Sequence, residues 1–212
     1  MKPTIALFLH HPRTSVQCGN GIIKSLQDYY NFKIFTRHEL ERDFFDDVDC
    51  VAFPGGIGDS DSYDWLLKIN GPVIRDYVDR GGRYLGICMG AYWADQDYFD
   101  ILSHIRAVQY IRRPGADTRR PHAKACAVTW RGQSERMYFY DGCAFVGTGP
   151  KETFATYANG DAMAIIQDRI GLIGCHPESQ EFWYDKKYLK THWHYGRHNQ
   201  LLLDFVDQLL TK

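Results

Sequence analysis

The apolar positions in the first half of the chain fall into short runs separated by amphipathic stretches. Thr4–His10 (TIALFLH) suits a strand buried on both faces, and Gly19–Tyr30 carries Ile22, Ile23 and Leu26 at helical spacing. FKIFT (32–36) and CVAFPGG (Cys50–Gly56) read as the second and third strands. Asp61–Ile69 predicts a short helix with Ser60 or Asp61 as its N-cap. Pro72 starts another, which runs to Arg80 and stops at Gly81-Gly82. RYLGI (83–87) is a fourth strand, followed at once by small residues and a helix from about Gly90.

Strands alternating with helices imply parallel, right-handed βαβ units. The second half is richer in strands, at 123–130, 136–140, 153–157, 161–168 and 169–176, with a hairpin turn in QDRIG (167–171). A helix over His198–Leu210 closes the chain. Repeats, low-complexity segments and linkers are absent, which predicts one domain over 1–212. The expected fold is α/β: a flavodoxin-like, mostly parallel sheet flanked by helices, with an added antiparallel portion in the second half.

Gly86-Ile87-Cys88-Met89-Gly90 has the form G-x-nucleophile-x-G. A residue between a strand end and a helix start sits on a sharp turn, and small residues two places either side keep that turn free of clashes. Such a turn lifts the Cys88 sulfur from the carboxyl edge of the sheet, where open α/β folds place ligands. It also sets the sulfur at a helix N-terminus, whose dipole favours thiolate. Taken alone, the pentapeptide is equally a Gly-rich turn with a cysteine that only packs.

Two further segments point to the same crevice. FPGG (Phe53–Gly56) ends the preceding parallel strand, so the amides of Gly55 and Gly56, with that of Met89, form a candidate oxyanion hole. In GCHPES (Gly174–Ser179), Pro177 keeps the chain extended, and positions two apart project to one side. Glu178 is then placed to orient His176, and His176 to act as base toward Cys88.

Other residues carry two readings each. Asp59 and Asp61 follow PGG and are placed to hold a substrate amine or basic group, with helix capping by Asp61 as the other reading. Cys18, ahead of the first helix, is a second thiol lining the crevice or a packed cysteine. The four arginines of Ile111–His122 form an anion site or a solvated loop, and without interleaved aromatics they give no nucleic-acid signature. His192, His194 and His198 lack an accompanying carboxylate or thiolate pattern, so no metal is assigned, and no cofactor motif is present.

FPGG, GICMG and HPE, in that order, resemble the class I glutamine amidotransferase-like superfamily, which includes the PfpI-like proteins. TSVQCGNGIIKSL, CVAFPGGIGDSDSY, GGRYLGICMGAYWAD, FYDGCAFVG and IGCHPES more closely resemble the N-terminal domain family of eukaryotic biotin–protein ligases and its free-standing relatives. The resemblance spans nearly the whole chain. It implies a Cys88–His176–Glu178 triad acting on a small amide or amino-acid-like substrate. Glutamine amidotransferases carry Gln four residues after the nucleophile, and here that position is Tyr92, which argues against glutamine. With no synthetase domain in the chain, an amidotransferase role would require an acceptor or synthetase partner protein.

Composition narrows the setting. With 212 residues, 44% hydrophobic and 24% charged, the chain is of globular composition and long enough to bury a core. A net charge of -1 exerts no general pull toward nucleic acid or anionic membranes. No run reaches membrane-span length. His10, His11 and Pro12 interrupt the N-terminal apolar stretch, which reads as a strand and not as a signal peptide. Six cysteines without a CxxC pair indicate neither a disulfide scaffold nor a zinc ribbon, and a reducing cytoplasm is the expected compartment.

Overall fold

The structure, a computed structural model, describes residues 2–10, 15–56 and 64–212, the side chains of 64–70 apart. In chain order the strands are β1 (Thr4–Phe8), β2 (Asn31–Phe35), β3 (Cys50–Phe53), β4 (Arg83–Ile87), β5 (Ile105–Gln109) and β6 (Lys124–Trp130). They continue with β7 (Gln133–Phe139), β8 (Cys143–Gly147), β9 (Glu152–Tyr157), β10 (Ala162–Gln167) and β11 (Ile170–Ile173). The helices are α1 (Val16–Leu26), α2 (Asp64–Asp79), α3 (Met89–Trp93) and α4 (Arg197–Thr211).

Among the described residues these strands form one sheet in the order β2-β1-β3-β4-β11-β10-β9-β6-β7, with β5 paired to β8 and β8 to β10. From β2 to β11 every pairing is parallel, and beyond β11 every pairing is antiparallel. The hinge between the halves is the β10–β11 hairpin, where Gln167 pairs with Ile170 and Asp168 adopts φ +50°. β11 thereby lies beside β4 and brings the segment after Ile173 to the end of the strand that precedes Cys88.

Side-chain alternation along β1 divides the core. Ile5 and Leu7 join Ile22, Leu26, Leu202 and Phe205 under α1 and α4. Ala6 and Phe8 join Phe53, Ile74, Tyr84 and Trp93 on the opposite face, under α2 and α3. Fully burying one such large side chain contributes about 1.5–3 kcal/mol. No described helix is long and apolar enough to cross a membrane.

Two elements differ from the sequence expectation. A single helix, α2, replaces the expected pair over Asp61–Ile69 and Pro72–Arg80, with Pro72 inside it. The residue before a proline is normally pushed out of the helical region by its Cβ, and Gly71 has none. The helix does stop where expected: Gly81, at φ +99°, and Gly82 return hydrogen bonds to Val78 and Tyr77. Helix α1 begins earlier than expected because Ser15 caps it, its Oγ accepting from the Cys18 amide at 3.2 Å. It ends at Leu26 because the Tyr29 and Tyr30 amides both turn back to the Leu26 carbonyl. Strands β5 and β8 were not foreseen.

Candidate active site

Cys88 connects β4 to α3 with φ +52° and ψ −107°, a backbone conformation that L-residues rarely adopt. The turn is gripped from several sides. The Cys88 amide donates to the Ile173 carbonyl at 2.9 Å, and the Cys88 carbonyl accepts from Ala91 and Tyr92 at 3.0 and 3.1 Å. Gly90 donates to the Pro54 carbonyl at 3.2 Å and accepts from the Tyr84 hydroxyl at 2.6 Å. Glycines are required here by close approach. A Cβ on Gly90 would run into the Phe53 carbonyl, and one on Gly86 would lie 2.5 Å from the Gly90 carbonyl.

The cysteines differ sharply in access. Cys88 is 9% exposed, whereas the other five are at 0–1%. Burial is the first cause that raises the thiols of Cys18, Cys50, Cys126, Cys143 and Cys175, so all five keep their protons. The Cys88 sulfur also lies 3.6 Å from the Tyr140 carbonyl at the end of β7.

His176 follows β11 and its amide donates to the Tyr138 carbonyl at 2.8 Å. Its Nδ1 lies 2.7 Å from Oε1 of Glu178, which is wholly buried. Glu178 thus engages Nδ1 and leaves Nε2 as the ring nitrogen it does not hold. Burial alone would lower the imidazole pKa, but the Glu178 carboxylate and then Cys88 outweigh it, with hydrogen bonding to Cys18 and Cys88 adding to the rise. The net direction is upward. Tyr138 and Trp183 stand edge-on to the ring, with centroids 5.9 and 5.5 Å away.

Cys18 enters this group from α1, 160 residues away in sequence. Its thiol donates to the same Glu178 Oε1 at 2.8 Å and accepts from the Gly55 amide at 3.0 Å. The Gly55 N–H is thus engaged by sulfur, a contact not found among the described residues at the other two expected oxyanion donors, Gly56 and Met89. A side chain on Gly55 would meet His176 Cε1 at 3.1 Å and the Cys18 sulfur at 3.4 Å. Donor atoms of Cys18, His176 and Glu178 lie within 4.8 Å of one another, the geometry from which a metal site is built. Ligands on one tetrahedral zinc stand about 3.3–3.5 Å apart, so contacts of 2.7 and 2.8 Å are hydrogen bonds with a proton between the atoms.

A cavity of about 570 Å³ opens over Cys88, with Gly56, Met89, Tyr92, His176 and Asp141 in its walls. Tyr92 and Asp141 are joined in its wall, the Tyr92 hydroxyl donating to the Asp141 carbonyl at 3.2 Å. The exposed rings of Tyr140 and Phe182 form part of the rim. Sequence reasoning missed Tyr138, Asp141 and Trp183: Asp141 falls in the FYDGCAFVG block but nothing there marks it as a site residue, and the other two stand in no recognisable motif. Asp59 and Asp61 lie outside the described residues.

Three of the remaining candidates are engaged elsewhere, whereas the charge of Arg112 bears on Asp141 and Tyr92 in the cavity wall. Arg113 pairs with Asp161 at 2.7 Å, tying the arginine-rich segment to the loop between β9 and β10. His194 and His198 stack at 4.0 Å, with His198 reaching Glu135 and His194 reaching Ser179.

The chain shares its fold with solved glutamine amidotransferases. A glutamine amidotransferase from Thermotoga maritima superposes with a TM-score of 0.71 at 13% identity, over 100% of both chains. PurLQS from the same organism gives 0.67 at 14% identity, over 97% of this chain and 100% of that one. Another glutamine amidotransferase gives 0.66 at 16% identity, over 98% and 99%. The family described as biotin-protein ligase, N terminal, matches residues 11–101, a span that holds Cys18, the PGG loop and the elbow. Both findings agree with the resemblance read from the motifs. No curated protein matches the chain.

Proposed function

We propose that the protein is a cysteine-nucleophile amidase in which Cys88 attacks the carbonyl carbon of an amide. The observation that carries this reading is the conjunction at one cavity of a thiol on a strained elbow and an imidazole whose other nitrogen is held by a buried carboxylate. The amides of Gly56 and Met89 would receive the developing oxyanion. His176 would give its proton to the leaving nitrogen as the C–N bond breaks, leaving an acyl-thioester on Cys88. It would then take a proton from water as water attacks the thioester, and the C–S bond would break to restore the thiolate. The net reaction consumes one amide and one water and yields an acid and an amine.

A second reading, a glutaminase that passes ammonia to a partner synthetase, is favoured by the fold shared over full length with glutamine amidotransferases. Tyr92 weighs against it, because it lines the cavity at the chain position where that family carries a glutamine-binding Gln. The free, buried cysteines suit a reducing cytoplasm.

The test is a panel of primary amides, with glutamine among them, scored for ammonia release and for a mass increment on the Cys88 peptide. We expect turnover that disappears in Cys88→Ala and His176→Ala, with glutamine a poor member of the panel. Turnover persisting in Cys88→Ala would overturn the amidase reading. Reversible binding without hydrolysis across the panel would instead favour a regulatory binding module that kept the elbow.

A further inference from the structure

We propose that Cys18 is a positioning residue that holds Glu178 and the loop after β3 in register with Cys88. The proposal rests on the reading of Cys88 as nucleophile and His176 as its base.

The sulfur of Cys18 is sealed from solvent and engaged in both directions, donating to Glu178 Oε1 and accepting from the Gly55 amide. It is no second nucleophile, since burial and the adjacent carboxylate keep it protonated, and a protonated thiol is what donation to Glu178 requires. Glu178 needs the help. Its Oε1 takes both the imidazole and the thiol, whereas Oε2 is buried and has no partner among the described residues. The terminal torsion of a glutamate is broad and roughly two-fold, so one donor on one oxygen leaves the carboxylate plane loosely defined. The second donor narrows the orientation of the carboxylate toward His176.

The other half of the argument concerns the loop. Gly55 is held twice by the first turn of α1: its N–H by Cys18 and its carbonyl by the Ser15 amide at 3.0 Å. In a planar trans peptide the N–H of Gly56 points opposite to the carbonyl of Gly55. Fixing that carbonyl on Ser15 therefore fixes the direction of the Gly56 N–H, one of the two amides proposed to receive the oxyanion. Helix α1 is shaped for this closeness, because a Cβ on Gly21 would lie 2.5 Å from the Glu178 carbonyl. One thiol thus links the base's orienting carboxylate to the loop that carries an oxyanion donor.

The experiment measures the rate of Cys88 alkylation by iodoacetamide against pH in wild type, Cys18→Ala, Cys18→Ser and His176→Ala. Losing a buried hydrogen bond to a charged group should lower the neutral-pH rate of Cys18→Ala about tenfold and move the rise of its profile to higher pH. Cys18→Ser should recover most of that loss, since a hydroxyl donates and accepts as the thiol does. A cysteine that only packs predicts the reverse order, with serine no better than alanine and neither profile displaced, and that result would overturn the proposal. If His176→Ala alkylates like wild type, the reading of the site falls and this inference falls with it. A slowed His176→Ala beside an unaltered Cys18→Ala defeats the inference alone. Should Cys18→Ala fail to fold, infrared spectroscopy decides. The S–H band assigned by its loss in Cys18→Ser must shift in Glu178→Gln, and an unshifted band overturns the proposal.

Discussion

Replacing Glu178 by glutamine should reverse the way His176 couples stability to pH. In the native protein the carboxylate, with the neighbouring thiols, raises the imidazole pKa against the opposing effect of burial. A histidine whose folded pKa lies above its unfolded value of about 6.5 contributes stability that is fully present below that value. The contribution is lost as pH rises through the folded pKa. Glu178→Gln removes the main opposing charge, so burial prevails and the folded pKa drops below the unfolded one. The variant's contribution is then present above about 6.5 and lost as pH falls.

Across that value the folded wild type binds up to one proton more than the folded variant, while the two unfolded chains are alike. The stability gap between them therefore narrows by up to about 1.4 kcal/mol for each pH unit of increase. Beneath the slope lies an offset of about 1–3 kcal/mol, because the new amide N–H2 occupies the place of the unpartnered Oε2. Urea unfolding followed by the fluorescence of the five tryptophans, at pH values from about 5.5 to about 8, measures both. Two stability curves that run parallel over this range would refute the assignment of His176 as the group that Glu178 charges.

Gly55→Ala should keep the fold yet slow Cys88 alkylation about 10- to 100-fold, because the added methyl meets His176 Cε1 at 3.1 Å and displaces the ring. An unchanged rate in a folded variant would contradict the placement of His176. Burial, with His198 beside it, lowers His194 to about 3, and burial with Arg197 lowers His198 to about 4. Folded values below the unfolded one mean stability that is present above about pH 6.5 and lost as pH falls through 4. Denaturation midpoints should decline over that window, less steeply in His194→Asn, and equal slopes would count against the neutral stacked pair.

Much of the parallel half was legible because its strands are buried on both faces and read as unbroken apolar runs, as in Cys50–Phe53 and Arg83–Ile87. The elbow was legible because its demand for small residues leaves a mark at Gly86 and Gly90. Strand β5 was not, because all but one of its residues are only partly buried and IRAVQ carries no strong strand pattern. The continuous α2 was hidden by Pro72, whose usual effect Gly71 relaxes. Cys18 marks where local reading stops: the residues that give it meaning, Gly55 and Glu178, are brought to it only by the sheet order. The same holds for Gly55, since nothing in its local sequence marks the sulfur that its amide meets.

The central claim, that Cys88 is a nucleophile activated by His176, is tested most directly by site-resolved alkylation of the folded protein at neutral pH. Wild type and His176→Ala are exposed to a limiting dose of iodoacetamide and the six cysteine peptides are quantified by mass spectrometry. The account predicts one adduct, on Cys88, with a rate at least about tenfold lower in His176→Ala. Labelling of Cys126 or Cys143 ahead of Cys88, or a Cys88 rate indifferent to the loss of His176, would contradict it.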